Sequence, residues 1–321
     1  MRQLRCHGFG PPPDLRLEDA PEPRAGDGEL LVAVDAANVA FVDRLVVRGL
    51  YQVRPDVPFT PGTVLTGTVL EVGAGVDDVA IGTRIAGMMT GYGAFSTRAV
   101  IPARSTAPLP PGMSVTEAVA AIEPYGTAHF ALTRRGGLRR GESVLVLGAG
   151  GAVGRAAVDT ARLLGAEVVG VTSGRDRQED LMTLDAIEVI DRRDVELRAH
   201  LREGYPDGFD VVLDPVGGPM AEQALRSLRE LGRYLVVGFA SGSIPQLPAN
   251  HVLLRNRTVH GVDWGGWMAR TGRGLEGALE EVLQRLAAGQ LRPPPVEVVG
   301  LDDLAGLLAG DAEVSRCVLV P

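Results

Sequence analysis

The chain has 321 residues, enough to bury a large core and to form two domains. Hydrophobic residues make up 45% and charged residues 22%, an ordinary globular balance, and a net charge of −8 argues against nucleic acid or an anionic membrane as partner. All 32 basic residues are arginine, which removes lysine Schiff-base chemistry, pyridoxal phosphate linkage, the Walker phosphate loop and the Tyr-x-x-x-Lys pair of short-chain dehydrogenases. Cys6 and Cys317 stand at opposite ends, and His7, His129, His200, His251 and His260 lack metal-ligand spacing, so no metal is expected. Two reduced, partly buried thiols are expected. With no apolar core of signal-peptide length at the start and no uncharged apolar run of bilayer length, the expected location is cytoplasmic.

In chain order, alternating Leu30, Val32 and Val34 predict a strand over Glu29–Ala37. After a turn-rich stretch through Pro55, Pro58 and Pro61-Gly62, further strands are predicted at Val64–Gly73, Gly82–Gly87 and Phe95–Val100. Short glycine-punctuated strands with little helix imply a β-barrel-like domain over roughly the first 110 residues. Ser114 and Glu117 form a capping box before an alanine-rich helix, and a second helix is expected over Gly126–Arg134. Strands and helices then alternate: Ser143–Leu147, helix Ala152–Leu164, Glu167–Val171, helix Arg177–Leu184, Glu188–Ile190, helix Asp194–Glu203, Phe209–Leu213, helix Met220–Leu231, Tyr234–Val237 and Thr258–Val262. That alternation marks an α/β doubly wound parallel sheet. The strand-like Val318-Leu319-Val320 after Pro293-Pro294-Pro295 predicts that the tail returns to the first domain.

The chemistry centres on Leu147-Gly148-Ala149-Gly150-Gly151-Ala152-Val153-Gly154, a strand feeding a helix through glycines. Free backbone N–H groups and the positive end of the helix dipole favour an anion there, and small residues admit a dinucleotide pyrophosphate. Ala149 stands where G-x-G-x-x-G has its first glycine, so the motif alone is a moderate signal. About 20 residues past such a turn an acidic residue would bind the adenosine ribose. Here the sequence reads Val171-Thr172-Ser173-Gly174-Arg175, with hydroxyls and arginine instead of a carboxylate, which favours a 2′-phosphate and hence NADPH. Arg175 and Arg177 can also be read as solvated surface charge, so the missing acid is the stronger half of this argument. Gly238-Phe239-Ala240-Ser241-Gly242 can offer backbone groups to the nicotinamide amide or be an ordinary glycine turn.

An ordered series of segments resembles the zinc-independent quinone oxidoreductase branch of the medium-chain dehydrogenase/reductase superfamily. It comprises Phe41-x-Asp43, Arg48-Gly49-Leu50-Tyr51-Gln52, Pro61-Gly62, Gly93-Ala94-Phe95, Thr127-Ala128, the glycine turn, Asp214-Pro215-Val216-Gly217-Gly218, Val237–Gly242 and Pro248-Ala249-Asn250. The resemblance implies a discontinuous GroES-like catalytic domain (1–118 and 265–321) and a Rossmann NADPH-binding domain (119–264). It also implies NADPH in the cleft and a homodimer joined through the cofactor sheets. The implied reaction is hydride transfer from NADPH to a quinone or the β-carbon of a conjugated carbonyl. Carried over by position, Gly150, Gly151, Ala152 and Val153 meet the pyrophosphate, and Thr127 faces the nicotinamide. Thr172, Ser173 and Arg175 lie near the 2′-phosphate, with Arg192 replacing the tyrosine usual beside the adenosine. Val216, Gly238, Phe239, Ala240 and Ser241 complete the expected cofactor site.

The departures lie in the catalytic half. Ala40 replaces the family's asparagine, Leu45 a tyrosine and Val64 a glutamate, and zinc-binding relatives have metal ligands at the places of Ala40, Thr63 and Val64. The resemblance therefore implies catalysis by positioning, with protons from water or from Tyr51, which otherwise serves as pocket wall. Trp264 and Trp267 either line an apolar substrate cleft or fill an interface. Two alternatives stand beside the reductase: an NADP-binding sensor or interaction protein with little turnover, and an enoyl reductase dedicated to one biosynthetic intermediate.

Overall fold

The computed structural model describes residues 1–89, 91–271, 277–311, 314 and 316–321. In chain order the elements begin with β1 (Arg2–Gly8), β2 (Asp14–Asp19), β3 (Glu29–Val39), α1 (Phe41–Val47), β4 (Val64–Val72), β5 (Arg84–Met88), β6 (Arg98–Pro102), β7 (Thr106–Pro108) and α2 (Val115–His129). Next come β8 (Ser143–Leu147), α3 (Ala152–Leu163), β9 (Glu167–Thr172), α4 (Arg175–Met182), β10 (Glu188–Asp191), α5 (Leu197–Gly204), β11 (Phe209–Asp214), α6 (Met220–Arg226), β12 (Leu228–Val236), α7 (Ala249–Leu253) and β13 (Thr258–Gly261). The chain ends with α8 (Trp264–Thr271), α9 (Ala278–Ala287), β14 (Glu297–Gly300), α10 (Leu304–Ala309) and β15 (Cys317–Val320). Two compact units result: Met1–Glu123 with Gly265–Gly289 and Pro293–Pro321, and Pro124–Trp264 with Gln290–Arg292. Among the described residues, no helix is long and apolar enough to cross a membrane.

The first unit is built on β3, which pairs antiparallel with β4, β6 and β15 in a sheet ordered β14-β15-β3-β4-β5-β7. Leu30, Val32, Val34 and Ala37 of β3 enter a core with Leu65, Val69, Ile85, Phe95, Ile101 and Leu319. Each fully buried aliphatic side chain of this kind contributes about 1.5–3 kcal/mol. The tail does return, with Cys317 of β15 opposite Val39. Cys6 and Cys317 are buried in that core, and neither is in a disulfide. The β1–β2 hairpin is a feature the sequence analysis does not include, although Leu15 and Leu17 alternate with Asp14, Arg16 and Glu18 as a half-buried strand does.

The second unit carries a wholly parallel sheet ordered β10-β9-β8-β11-β12-β13. All six residues of β11 are buried, the mark of a strand covered on both faces. Ala156, Ala157 and Ala161 are buried on α3, small enough for that helix to lie close against β8 and β9. Its buried Asp159 is well supplied with donors, accepting from the Tyr125 hydroxyl at 2.9 Å, the Arg162 guanidinium at 2.9 Å and the Arg292 N–H at 2.6 Å. Arg155 pairs with Asp180 of α4 at 2.8 Å.

Three helices differ from expectation, each for a local reason. Gly126–Arg134 is not a separate helix; α2 runs on through Pro124 to His129, and a π-turn follows over Phe130–Arg135. α5 starts at Leu197 rather than Asp194, because the Glu196 carboxylate caps it, accepting from the N–H groups of Arg198 and Ala199. α6 stops at Arg226 and β12 begins at Leu228, so Leu231 lies in a strand rather than at a helix end. There the Arg257 guanidinium takes the carbonyl oxygens of Arg226 and Leu228, and Leu231 adopts φ +62°.

Candidate functional site

In the parallel sheet, β8 is followed through α3 by β9 on one side, while β11 flanks it on the other. The chain thus reverses direction of winding at the β8/β11 junction, where crevices form outside the carboxyl ends of the strands. Four turns meet the sheet along that edge, after β8, β9, β11 and β12.

After β8, Gly151 is the N-cap of α3 and has no capping side chain, and its own N–H reaches the Gly148 carbonyl at 2.9 Å. The N–H groups of Ala152 and Val153, in the first turn, have no intrahelical acceptor to reach. A Cβ at Gly150 would lie 2.5 Å from Thr172 Oγ1 and 2.6 Å from Arg177 Cδ. The turn is therefore bare backbone, flanked by a hydroxyl and an arginine stem. Ala149 is tolerated in place of glycine because its Cβ faces Gly170 of β9. These features fit the pyrophosphate of a dinucleotide: free donors, a positive helix end and no side chain in the way.

After β9, Thr172 is buried and Ser173 half-buried, while Arg175 is exposed on the first turn of α4. Arg192 is exposed just beyond β10, its N–H donating to the Thr172 carbonyl at 3.0 Å. Sequence reasoning misses Asp191, the last residue of β10. Its carboxylate is 4% exposed and accepts from the Gly174 N–H at 3.0 Å, the Arg193 N–H at 3.0 Å and the Arg193 guanidinium at 2.6 Å. The Arg193 side chain, with the two backbone N–H groups, holds this carboxyl well below the usual carboxylate range. A carboxylate does reach the turn after β9, from the neighbouring strand and with an arginine on it.

After β11 and β12 the two turns are bonded together. Asp214 Oδ1 accepts from the N–H groups of Val216 and Gly217, both at 2.8 Å, and Oδ2 accepts from the Tyr234 hydroxyl at 2.5 Å. The Ala240 N–H donates to the Pro215 carbonyl at 3.1 Å and the Ser241 N–H to the Val216 carbonyl at 2.9 Å. Val216 in turn reaches the first turn, since its Cγ2 is the nearest atom to a Cβ built at Gly148. Val216, Gly238, Phe239, Ala240 and Ser241 thus belong to one braced assembly beside Gly148. Thr127 is half-buried on α2, between the Tyr125–Asp159 bond and the chain's turn toward Phe130. Trp264 packs on the neighbouring Gly126, its Cη2 standing where a Cβ would be.

In the first unit, α1 carries Asp43, whose side chain is 1% exposed. Asp43 Oδ2 accepts from the Ala40 N–H at 2.8 Å, and Oδ1 meets no hydrogen-bond partner. Burial pushes this carboxyl up to about 7; the Ala40 N–H opposes the rise and the nearby Glu123 adds to it. Glu123 is itself pushed up to about 7 by burial. Tyr92 is raised to about 12 by burial, then by Tyr51 and Asp43, and its ring stands 5.3 Å from Phe59. Tyr51 thus has a neighbour that sequence reasoning does not supply, the Tyr92 phenol, which also feels Asp43. Asp43 is visible in the sequence only as part of a motif, and Glu123 carries no signal. Ala40, Leu45 and Val64 bring no polar side chain to this half. Among the described residues, no three His, Cys, Asp or Glu side chains are grouped as a metal ion would require.

Comparison with known proteins returns two family models, "Alcohol dehydrogenase GroES-like domain" over residues 26–111 and "Zinc-binding dehydrogenase" over 152–286. A "Quinone oxidoreductase-like protein 2 homolog" of Nematostella vectensis is 33% identical over 307 residues, covering 94% of this chain and 83% of that protein. Among solved structures, the quinone oxidoreductase of Thermus thermophilus, described also as its complex with NADPH, is similar with a TM-score of 0.80 and 32% identity, over 96% of this chain and 95% of that one. Escherichia coli quinone oxidoreductase complexed with NADPH superposes over 100% of both chains, with a TM-score of 0.89 and 25% identity.

Proposed function

The chain belongs to the quinone oxidoreductase branch of the medium-chain dehydrogenase/reductase superfamily, and on that premise we propose that it is an NADPH-dependent reductase of quinones or α,β-unsaturated carbonyls. The observation that carries this reading is the bare turn at Gly150, open to an anion and flanked by Thr172 and Arg177. Ala152 and Val153 would bind the pyrophosphate through their backbone N–H groups, while Gly150 and Gly151, without side chains, let it approach the turn. Thr172, Ser173, Arg175 and Arg192 would surround the 2′-phosphate, joined by Arg177, whose stem already lies on the turn. Val216, Gly238, Phe239, Ala240 and Ser241 would receive the nicotinamide amide on a braced loop pair, with Thr127 against the ring.

NADPH, when bound, supplies the hydride. The chain's own contribution is position and proton supply. The Asp43 and Glu123 carboxyls hold protons near neutral pH, and Tyr51 would pass one to the reduced acceptor or stand as wall while water does so. With Ala40, Thr63 and Val64 where zinc-binding relatives have ligands, the reaction would need no metal. The homodimer implied by the family is supported by the exposed Val259 on the edge strand β13, with exposed Leu253 and Leu254 just before it.

The test is NADPH affinity followed by NADPH oxidation with benzoquinones, naphthoquinones, alkenals and cyclic enones, with light scattering for the oligomer. Turnover with at least one acceptor class, unchanged by chelators, is expected. Tight NADPH binding without turnover on any acceptor would overturn the reductase and leave the binding-protein alternative.

A further inference from the structure

The end of β10 carries an inference about cofactor choice, which rests on NADPH being the cofactor. In dinucleotide sheets a carboxylate at the end of the second strand accepts from the ribose 2′-hydroxyl and repels a 2′-phosphate. Here β9 ends without one, at Thr172-Ser173-Gly174, but β10 ends beside it in parallel register, Asp191 opposite Thr172. Asp191 Oδ2 accepts from the Gly174 N–H at 3.0 Å, so the carboxylate reaches the same turn from the adjacent strand. Left alone it would serve NADH.

It is not left alone. The Arg193 guanidinium grips both carboxylate oxygens, with Nη2 2.6 Å from Oδ2 and Nε 3.1 Å from Oδ1, and the Arg193 N–H adds a bond of 3.0 Å to Oδ1. The Asp191 side chain is 2% exposed and that of Arg193 is 57% exposed, so the outer surface of the pair is the cation. A Cβ at Gly174 would find Arg193 Nη2 as its nearest atom, at 3.9 Å. An arginine held in a two-point grip cancels the carboxylate and keeps further N–H donors turned outward.

We propose that Arg193 is a specificity-determining residue: by masking Asp191 it converts a ribose site suited to NADH into one that accepts the 2′-phosphate of NADPH. The preference is then set by a pair on one strand end rather than by the missing acid alone. The Arg193 side chain is exposed, so its replacement opens no core cavity, and Asp191 still accepts from the Gly174 and Arg193 backbone N–H groups.

The experiment is equilibrium binding of NADPH and of NADH, followed by fluorescence, to the full chain and to R193A, R193K and D191N/R193A, with melting temperature as the fold control. In R193A the expected result is NADPH binding weakened about tenfold and NADH binding tightened severalfold, as the released carboxylate meets the ribose diol. R193K should fall between, since lysine cannot hold both oxygens. D191N/R193A should regain most of the NADPH affinity and lose the gain for NADH. Equal changes for both cofactors, or none, would overturn the proposal. So would an R193A loss for NADPH with NADH unchanged, the signature of an arginine that simply touches the phosphate. Wild-type protein that binds NADH at least as tightly as NADPH fails at an earlier point, the cofactor reading itself.

Discussion

The two units treat a buried carboxylate in opposite ways. At the strand ends of the parallel sheet, Asp191 and Asp214 each accept at least three hydrogen bonds and serve as fixing points for turns. In the β3-centred unit, Asp43 is as deeply buried, but its Oδ1 has no hydrogen-bond partner and the Ala40 and Gly62 N–H groups lower its titration less than burial raises it. Supplied with donors, the Asp191 carboxylate is held in its ionised form and pins the backbone; with fewer of them, Asp43 is pushed toward its protonated form by burial. The cofactor half is built for rigidity, and the Asp43 group for holding protons.

The largest effect is expected where rigidity meets the anion. Gly150→Val would drive a side chain into Thr172 and Arg177 and should weaken NADPH binding by about a hundredfold, measured by fluorescence titration, while the melting transition persists. Unchanged affinity would break the assignment of the first turn.

Next comes the proton-holding side. An unfolded aspartate titrates near 3.8 and folded Asp43 near 7. Between those values the folded state binds the extra proton, so stability falls as pH rises from about 4 to about 7, by up to about 1.4 kcal/mol per pH unit. Asp43→Asn, with no charge to bury, should reduce that slope in urea titrations from about pH 4.5 to about pH 7.5 and leave the part that Glu123 supplies. A wild-type curve already flat there would show that Asp43 is solvated or paired.

Tyr234→Phe tests the other carboxylate. Asp214 would lose its shortest bond, and unfolding free energy in urea should fall by about 1–3 kcal/mol. No change would mean that the two backbone N–H groups suffice. The smallest effect is expected from Tyr51→Phe, which should leave kcat within about threefold if Tyr51 is wall; a loss of about a hundredfold or more would make it the proton donor.

Much of the cofactor unit is legible in the chain. Apolar runs such as Ser143–Leu147 and Phe209–Asp214 announce buried parallel strands, and the glycines after Leu147 announce the turn. The Thr172–Arg175 stretch shows that no acid comes from β9. It cannot show that one comes from β10, because side-by-side strand ends 19 residues apart are a property of sheet order, not of spacing. Asp43 and Glu123 are hidden more deeply, since desolvation belongs to the packed surroundings and leaves no local pattern. Leu231 shows the same limit at the scale of one residue: its composition favours continuing α6, and Arg257 from a distant segment decides otherwise.

The Asp214–Tyr234 brace also has a kinetic meaning. A glycine-rich loop usually samples many conformations and must be ordered by each arriving ligand, which slows productive encounters and weakens the complex. Here the turns over Pro215–Gly217 and Val237–Gly242 are already held by the carboxylate and by each other. Their ordering is completed when the sheet forms. Amide hydrogens of Val216, Gly217 and Ser241 should therefore exchange with solvent as slowly as those of β11 itself, ligand or no ligand, and the cofactor would meet a surface that need not wait to be shaped.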